Sequence, residues 1–427
     1  MTVSPTTPRP SSRLLGLGWF LCATFFFYAF LQRVSPSVMV AGLMRDFAVG
    51  GAILGNLSAF YYYAYASSQI PVGVLLDRFG PRRLVTVALA LVAVGSFVFA
   101  EAETLGSAYL GRLIIGLGCA FSFPAALNYA ALWFAPHRFA TLGGTAQMLG
   151  MIGGVAGQAP LGALVEAVGW RTAVLGIAGF GAVLALASGL VLRDPPSTTK
   201  VVNHGENGRF SGLKRVLATN QVWLASGFGM AMTSAMLAFG GLWGVPYLMQ
   251  AYLLPKEAAA ALISLLFVGW GIGAPLSGWL ADRFRLRRVF MVSGASLATL
   301  GITATIYLPH PGLSTLAVFL VVQGLGASSM VLAFSVVREN TPPWAAGTAI
   351  GVTNGFVVGS GAVFQPLLGW LLDLRWDGTL VAGARIYTPA NFEFAFLVLP
   401  VIGVIGILCA LAIRETHGQS LVRGSVR

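Results

Sequence analysis

The chain has 427 residues, of which 56% are hydrophobic and only 9% are charged. Soluble domains carry about 25% charged residues, so this composition excludes a soluble globular protein. The formal net charge of +12 is compatible with nucleic-acid binding by its size alone, but the placement of the basic residues indicates a membrane surface instead.

The N-terminal segment 1–13 is rich in Pro, Ser and Thr, and we predict that it is disordered. Twelve apolar helices of bilayer-crossing length are predicted after it. Six lie in residues 14–192 and six in residues 220–414, with a polar cytoplasmic linker at 193–219 and a polar tail at 415–427. The sequence therefore predicts an all-α membrane protein of two six-helix, pseudo-symmetric halves. The first span is too long for the apolar core of a signal peptide, so we expect it to be retained. The predicted spans are 14–42, 52–76, 84–102, 105–134, 139–167, 170–192, 220–252, 258–281, 289–308, 313–337, 346–373 and 391–413.

The positions of Lys and Arg predict the orientation, because short cytoplasmic loops carry an excess of them. With the N-terminus inside, most of the 26 Lys and Arg residues fall on the inner side and few on the outer side. Both termini are therefore predicted to be cytoplasmic. We expect a monomeric, multi-pass protein in contact with the lipid bilayer, with a bacterial inner membrane as the favoured location and no nucleic-acid partner.

Two arginines fall inside predicted spans, Arg33 in the first and Arg112 in the fourth. A buried cation needs a partner, but no Asp, Glu or His of the sequence lies deep in a predicted span. The simplest partner is therefore a carboxylate or phosphate on a bound solute, which arginine recognises well.

The two halves repeat each other. The motif "GVLLDRFGPRR" (73–83) ends the second span and "GWLADRFRLRR" (278–288) ends the eighth, while "TLGGTAQ" (141–147) recurs as "TAIGVTN" (348–354) after 207 residues. Six-span repeats with a substrate at their interface are typical of secondary transporters. Simple anchoring of the loop at the inner membrane surface would explain the arginines of the motif but not its paired aspartates. The residues singled out in the two copies are Gly73, Asp77, Arg78, Arg82, Arg83, Gly278, Asp282 and Arg283.

These motifs, together with "RLIIGLG" (112–118) in the fourth span, resemble those of the major facilitator superfamily over residues 14–414. The copies are imperfect, since Pro81 and Arg285 depart from the strictest pattern. The resemblance implies a transporter that works by alternating access. It also implies that the loop motif latches the cytoplasmic side in the outward-open state.

We therefore predict a carrier of a small carboxylate-bearing solute, such as an organic acid, an amino acid or a dipeptide. Organic-anion carriers of the superfamily are similar in having arginines at the corresponding places of the first and fourth spans. They often have an acidic residue before the first arginine, where this chain has Gln32. Proton symport by that route is therefore not expected, which leaves uniport, exchange, or proton coupling through Glu166.

Other polar and aromatic residues share helix faces inside the predicted spans, where polar groups face the bundle interior by default. Each has an alternative reading, as a packing aromatic or an interhelical hydrogen bond. The predicted substrate-binding set is Arg33, Arg112, Tyr28, Gln32, Tyr61, Tyr65, Gln147, Gln158, Asn354, Gln365, Trp243 and Tyr247.

Two alternative functions remain open at this point. The segment "GMIGGVAGQAPLG" (150–162) partly resembles a signature of drug–proton antiporters, so a drug exporter of the same superfamily is the main alternative. A non-transporting membrane receptor or scaffold is the alternative from another class. An enzyme is not expected, because no nucleophile, base or metal-ligand set is spaced for catalysis, and we predict no cofactor and no metal.

Overall fold

The computed structural model describes residues 11–135, 138–194, 214–309, 311–342 and 345–419, without the side chains at positions 70, 73, 74, 77, 78 and 140. The regular secondary structure of these residues is helical, apart from one short hairpin. Eleven described helices are long and apolar enough to cross a membrane. The remaining predicted span corresponds to a 29-residue helix that three consecutive tyrosines make less apolar. The predicted all-α membrane fold is confirmed.

The spans are numbered here in chain order. They are TM1 (Ser12–Val38), TM2 (Gly51–Phe79), TM3 (Pro81–Ala100), TM4 (Leu105–Trp133), TM5 (Thr141–Val168), TM6 (Trp170–Val191), TM7 (Asn220–Ala251), TM8 (Lys256–Phe284), TM9 (Arg287–Tyr307), TM10 (Leu313–Glu339), TM11 (Ala346–Leu374) and TM12 (Pro389–Ala412). A short helix, Val40–Phe47, follows TM1. The boundaries predicted for the two halves, the linker and the tail stay predictions, and most of segments 1–13, 193–219 and 415–427 lies outside the described residues.

A two-stranded antiparallel hairpin lies between TM11 and TM12. Its strands, Leu380–Val381 and Ala384–Arg385, pair Leu380 with Arg385. The turn residues Ala382 and Gly383 both have positive φ, as a tight hairpin turn requires. The hairpin packs against the short helix after TM1, so it covers the predicted outer side of the interface between the two halves.

TM1, TM4, TM7 and TM10 all depart from regular α-helix, near the middle of the span or in its predicted outer half. TM1 becomes a 3-10 helix at Ser35–Val38, TM4 is interrupted between Cys119 and Ser122, TM7 is a π-helix over Ala235–Trp243, and TM10 has a 3-10 turn at Ser328–Met330. Two of the four belong to each half, at corresponding positions. Such interruptions in matching spans frequently surround the substrate site of a transporter.

The two halves are in close contact at the predicted outer side. A methyl group on Gly55 of TM2 would lie 2.7 Å from the Cα atom of Pro366 in TM11, so only glycine permits this approach. On the other flank, a methyl group on Gly154 of TM5 would lie 2.9 Å from the ring of Phe267 in TM8. Both helix pairs, TM2 with TM11 and TM5 with TM8, are therefore packed tightly at this side.

The same pairs separate toward the predicted cytoplasmic side. Gly351 and Gly347 continue the face of TM11 that meets TM2 at Asn354, yet a methyl group on either would meet no described atom within 4 Å. The same holds for Gly278, two turns beyond the place where TM8 meets TM5, and for Gly144 in TM5. Among the described residues, the two halves are therefore closed at the predicted outer side and open at the predicted cytoplasmic side.

Candidate functional site

Arg33 lies in the last turn of the first α-helical segment, just before TM1 becomes a 3-10 helix. It is only 4% exposed. Its guanidinium carbon lies 4.3 Å from the ring centre of Phe30, 5.0 Å from that of Tyr65 and 5.7 Å from that of Tyr61. Cation–π contacts with three rings partly replace water around this cation.

The hydrogen-bonding capacity of Arg33 is not satisfied. Among the described residues, its buried Nε and Nη2 atoms have no well-aligned hydrogen-bond partner, and the hydroxyl groups of Tyr61 and Tyr65 lie close to this guanidinium. Among the described ion pairs, none involves Arg33 or Arg112. Nε–H and one of the Nη2–H bonds form one edge of the guanidinium plane, and this edge matches the two oxygens of a carboxylate. Arg33 is thus a buried cation with a free bidentate edge.

Arg112 is buried too, but its contacts differ. Nη1 donates to the carbonyl of Gln32 at 3.0 Å and Nη2 to the carbonyl of Ser58 at 3.4 Å. The carbonyl of Gln32 loses its usual intrahelical donor because the residue four positions later is Pro36, which has no N–H. Arg112 therefore stabilises the interruption of TM1 that positions Arg33. This geometry favours a positioning role over direct contact with a solute.

Tyr61 and Tyr65 are brought together with Arg33, as the sequence predicts. Both are buried, their rings lie 5.8 Å apart, and the Tyr61 hydroxyl donates to the carbonyl of Ala29 at 3.3 Å. TM2 supplies these rings on one face at an i, i+4 spacing. We define the aromatic cluster as Phe30, Tyr61 and Tyr65.

Tyr28 and Gln32 are not brought to the aromatic cluster. Gln32 Nε2 donates to the Ser96 hydroxyl of TM3 at 2.6 Å and to the Tyr28 hydroxyl at 3.1 Å. The Tyr28 hydroxyl in turn donates to the carbonyl of Ile177 in TM6 at 3.0 Å. These contacts connect TM1 to TM3 and TM6 of the same half. They correspond to the alternative reading of interhelical hydrogen bonds.

Gln158 and Gln365, which occupy the same place in the two repeats, both donate to the π-helical segment of TM7. Gln158 Nε2 donates to the carbonyl of Gly240 at 2.8 Å, and Gln365 Nε2 donates to the carbonyl of Leu237 at 2.7 Å. Gln365 Nε2 also lies 3.3 Å from the Tyr62 hydroxyl of the other half. The bond of Gln158 to TM7 and the contact of Gln365 with Tyr62 each join the two halves at the predicted outer side. Sequence reasoning missed Tyr62, since a run of three tyrosines does not tell which of them faces the other half.

The remaining predicted residues are distributed over both sides. Asn354 Nδ2 donates to Gln69 Oε1 at 2.6 Å, on the predicted cytoplasmic side of the aromatic cluster. Gln147 is partly exposed near the same opening. Trp243 Nε1 donates to the carbonyl of Gln365 at 3.0 Å, whereas the Tyr247 hydroxyl donates within the second half, to a TM9 carbonyl. Tyr247 therefore packs away from the interface.

The first loop motif is described only in part. Position 73 and the side chains of Asp77 and Arg78 lie outside what the structure describes. Arg82 donates to the carbonyl of Gly189 at 3.0 Å, and its backbone N–H donates to a carboxylate oxygen of Asp194 at 2.9 Å. Arg83 is exposed. The described contacts of this motif stay within the first half.

The second loop motif forms an ionic cluster within its own half. Arg287 lies 2.6 Å from Asp282 and 3.0 Å from Glu339, and its backbone N–H donates to Glu415 at 2.7 Å. Arg283 is exposed, and Gly278 borders open space. Glu339 and Glu415 were not predicted as partners. The described contacts of both motifs stay within their own halves, and the predicted latch across the two halves stays a prediction.

Twelve spans in two similar halves, with interrupted helices in matching positions, are an architecture typical of membrane transporters. The family model "Major Facilitator Superfamily" matches residues 21–252 and 228–425, so the chain belongs to this superfamily. The predicted family resemblance is confirmed, and the chain is a multi-pass membrane transporter.

Several characterised and uncharacterised transporters are similar in sequence. The gentisate transporter of Corynebacterium glutamicum is 26% identical over 370 residues, 84% of this chain and 81% of that protein. The probable galactarate/D-glucarate transporter GudP of Escherichia coli is 21% identical over 94% of this chain and 96% of that protein. The uncharacterized transporter YybO of Bacillus subtilis is 32% identical, but the match spans only 35% of this chain and 34% of that protein.

A solved structure supports the fold. A bacterial homologue of the human lysosomal transporter Spinster, in an inward-facing and unoccupied conformation, matches with a TM-score of 0.75 and 17% identity. The match covers 96% of this chain and 97% of that chain. At this identity the likeness establishes the fold alone.

Proposed function

We propose that this transporter moves a small carboxylate-bearing organic acid across a bacterial cell membrane by alternating access, with both chain termini in the cytoplasm. Arg33 is the residue that binds the carboxylate. Its free bidentate edge is the observation that carries the proposal, because a buried guanidinium without a counter-ion is otherwise costly.

The aromatic cluster holds Arg33 in a position suited to a carboxylate. Phe30, Tyr61 and Tyr65 hold Arg33 by cation–π contacts, which leave the Nε and Nη2 edge free for an anion. A carboxylate on this edge would form two charge-assisted hydrogen bonds in a site shielded from water. The binding energy then comes from satisfying a cation that the fold has already buried.

The relatives support the same class of solute. Two proteins that align with most of this chain are named for organic acids: gentisate in one case, galactarate and D-glucarate in the other. Gentisate is an aromatic acid and the other two are aldaric acids, so the charged group they share is the carboxylate. We therefore propose the carboxylate, and not a particular acid, as the recognised group.

The drug-exporter alternative predicts a different chemistry. A carrier of lipophilic cations more usually has an acidic residue among the aromatic rings of its cavity, but the three rings here surround an arginine. Neutral Gln32 stands beside that arginine and is occupied by Ser96 and Tyr28. Both observations favour an anionic substrate.

Uptake into proteoliposomes tests the proposal. Radiolabelled gentisate and glucarate are offered to the wild-type protein, to Arg33→Ala and to Arg45→Ala, an exposed arginine outside the spans that serves as the matched control. We expect uptake of at least one acid by the wild-type protein and by Arg45→Ala, and its loss in Arg33→Ala. Equal uptake by Arg33→Ala, at equal amounts of folded protein, would contradict the anion site.

A further inference from the structure

The last turn of TM11 and the first turn of TM2 meet at the predicted outer side, and one carboxylate joins them. Asp373 Oδ1 accepts a hydrogen bond from the Gly51 N–H at 3.0 Å, and Oδ2 accepts one from the Ala52 N–H at 2.9 Å. These are among the first backbone donors of the TM2 helix, which have no intrahelical acceptor. Asp373 belongs to one half and the donors to the other.

The hairpin before TM12 completes the arrangement. The Tyr387 hydroxyl donates to Asp373 Oδ1 at 2.6 Å, and Arg385 Nη1 lies 3.1 Å from the same oxygen. The Tyr387 hydroxyl oxygen also accepts from the Gly51 N–H at 2.8 Å. The side chain of Asp373 is 20% exposed, so water only partly screens these bonds. The second half thus holds the carboxylate in place while the first half supplies two backbone donors.

The internal repeat places a weaker version of this contact on the other flank. Glu166 precedes Asp373 by 207 residues and lies near the end of TM5, as Asp373 does in TM11. Its carboxylate lies 3.5 Å from Lys256, the first residue of TM8. Glu166 is 59% exposed, so this pair contributes less than a partly buried one. Each flank therefore has a carboxylate of one half at the start of a helix of the other.

We propose that Asp373, with Tyr387 and Arg385, is an outer latch that stabilises the inward-open conformation, and that Glu166 with Lys256 is its weaker counterpart. Opening the outer side requires TM2 and TM11 to separate where Asp373 now joins them, so both bonds to TM2 must break. The outer latch rests on the alternating access of the proposed function. It does not depend on the identity of the solute or on Arg33.

The test measures which side of the purified protein is open, in lipid nanodiscs and without any solute. The three native cysteines are replaced by alanine, and a single cysteine is introduced either at Met39 or at Gly351. Met39 is 1% exposed and lines a cavity of about 580 Å³ at the predicted outer side, whereas Gly351 borders the cytoplasmic opening. The measured quantity is the rate of labelling by a hydrophilic maleimide.

Asp373→Ala should raise the labelling rate at position 39 by roughly tenfold or more and lower it at position 351, because charge-assisted bonds between the halves are lost. Glu166→Ala should act in the same direction but less. Asp377→Ala is the matched control, since the described contacts of Asp377 are local, with Thr379 of the same loop, and it should leave both rates unchanged.

Tyr387→Phe provides a second variant in case Asp373→Ala does not fold, because it removes one hydroxyl and keeps the ring. It should also raise labelling at position 39. Unchanged labelling in both variants, in protein that elutes and melts as the wild type does, would overturn the outer latch. Since no solute is added, this result is independent of the fate of the anion site.

Discussion

Replacing Arg112 by alanine should destabilise the protein in part by removing one of the two donors to the carbonyl of Gln32. Nη1 of Arg112 is 3.0 Å from that oxygen, and Pro36 cannot supply the usual helical donor. An unpaired buried carbonyl costs about 1–3 kcal/mol, and the Ser35 hydroxyl, which lies 3.1 Å from the same oxygen, offsets part of this loss. We therefore expect a loss near the lower half of that range from this oxygen, with a further loss from the vacated space.

The cause can be isolated by a second substitution. Pro36→Ala restores a backbone N–H that can bond to the Gln32 carbonyl, so it should recover part of the stability of Arg112→Ala. Thermal unfolding of the wild type, the two single variants and the double variant completes a double-mutant cycle. We expect a coupling energy of about 0.5 kcal/mol or more, with the double variant more stable than additivity predicts. Strict additivity of the two substitutions would refute the positioning role.

Three further predictions concern residues at the predicted outer side of the molecule. Gly55→Val should prevent the close approach of TM2 to TM11 and reduce transport in proteoliposomes, whereas the same change at the open Gly347 should not. Gln158→Leu should remove its bond to TM7 and increase the labelling of an outer cysteine. Burial alone would raise the pKa of Asp46, but hydrogen bonds from Trp170, Arg45 and Arg171 outweigh it and lower the pKa. Asp46 therefore stabilises the fold at neutral pH, and this contribution is lost as the pH falls through the lowered pKa. The fall in melting temperature between pH 7 and about pH 3 should be smaller in Asp46→Asn than in the wild-type protein.

Hydropathy and the internal repeat were sufficient to predict the twelve helices and the two halves. The interruptions were harder to foresee. The breaks at Ser35–Val38, Ala120 and Ser328 depend on local serine and proline contacts that hydropathy does not report. A window average treats a 3-10 turn and an α-turn of the same composition alike.

The site was predicted in part for a similar reason. Helical spacing correctly grouped Tyr61 with Tyr65, and both lie against Arg33. It could not separate Arg33 from Gln32, because adjacent residues on a helix point about 100° apart and only the neighbouring helices decide which of them meets the aromatic cluster. The role of Arg112 was likewise hidden, since its partners are backbone carbonyls, which every sequence contains.

Residues at equivalent positions of the internal repeat have related contacts at the predicted outer side. Gln158 and Gln365 were predicted as ligands from their matching positions, and the match is real, but both side chains bind TM7. The same offset relates Glu166 to Asp373, two acidic residues at the ends of their spans. Equivalent positions in the two halves thus share a structural task at the closing interface.

Binding of a matched pair of ligands tests the central claim most directly. Gentisate and its primary amide differ at the carboxylate and are otherwise alike, so a thermal-shift titration of the purified protein isolates that group. We predict that gentisate raises the melting temperature of the wild-type protein, that the amide does not, and that Arg33→Gln abolishes the difference between the two. A glucarate titration provides the same comparison for an aldaric acid. Equal stabilisation by the acid and the amide, or an unchanged preference for the acid in Arg33→Gln, would contradict the assignment of Arg33 as the carboxylate site.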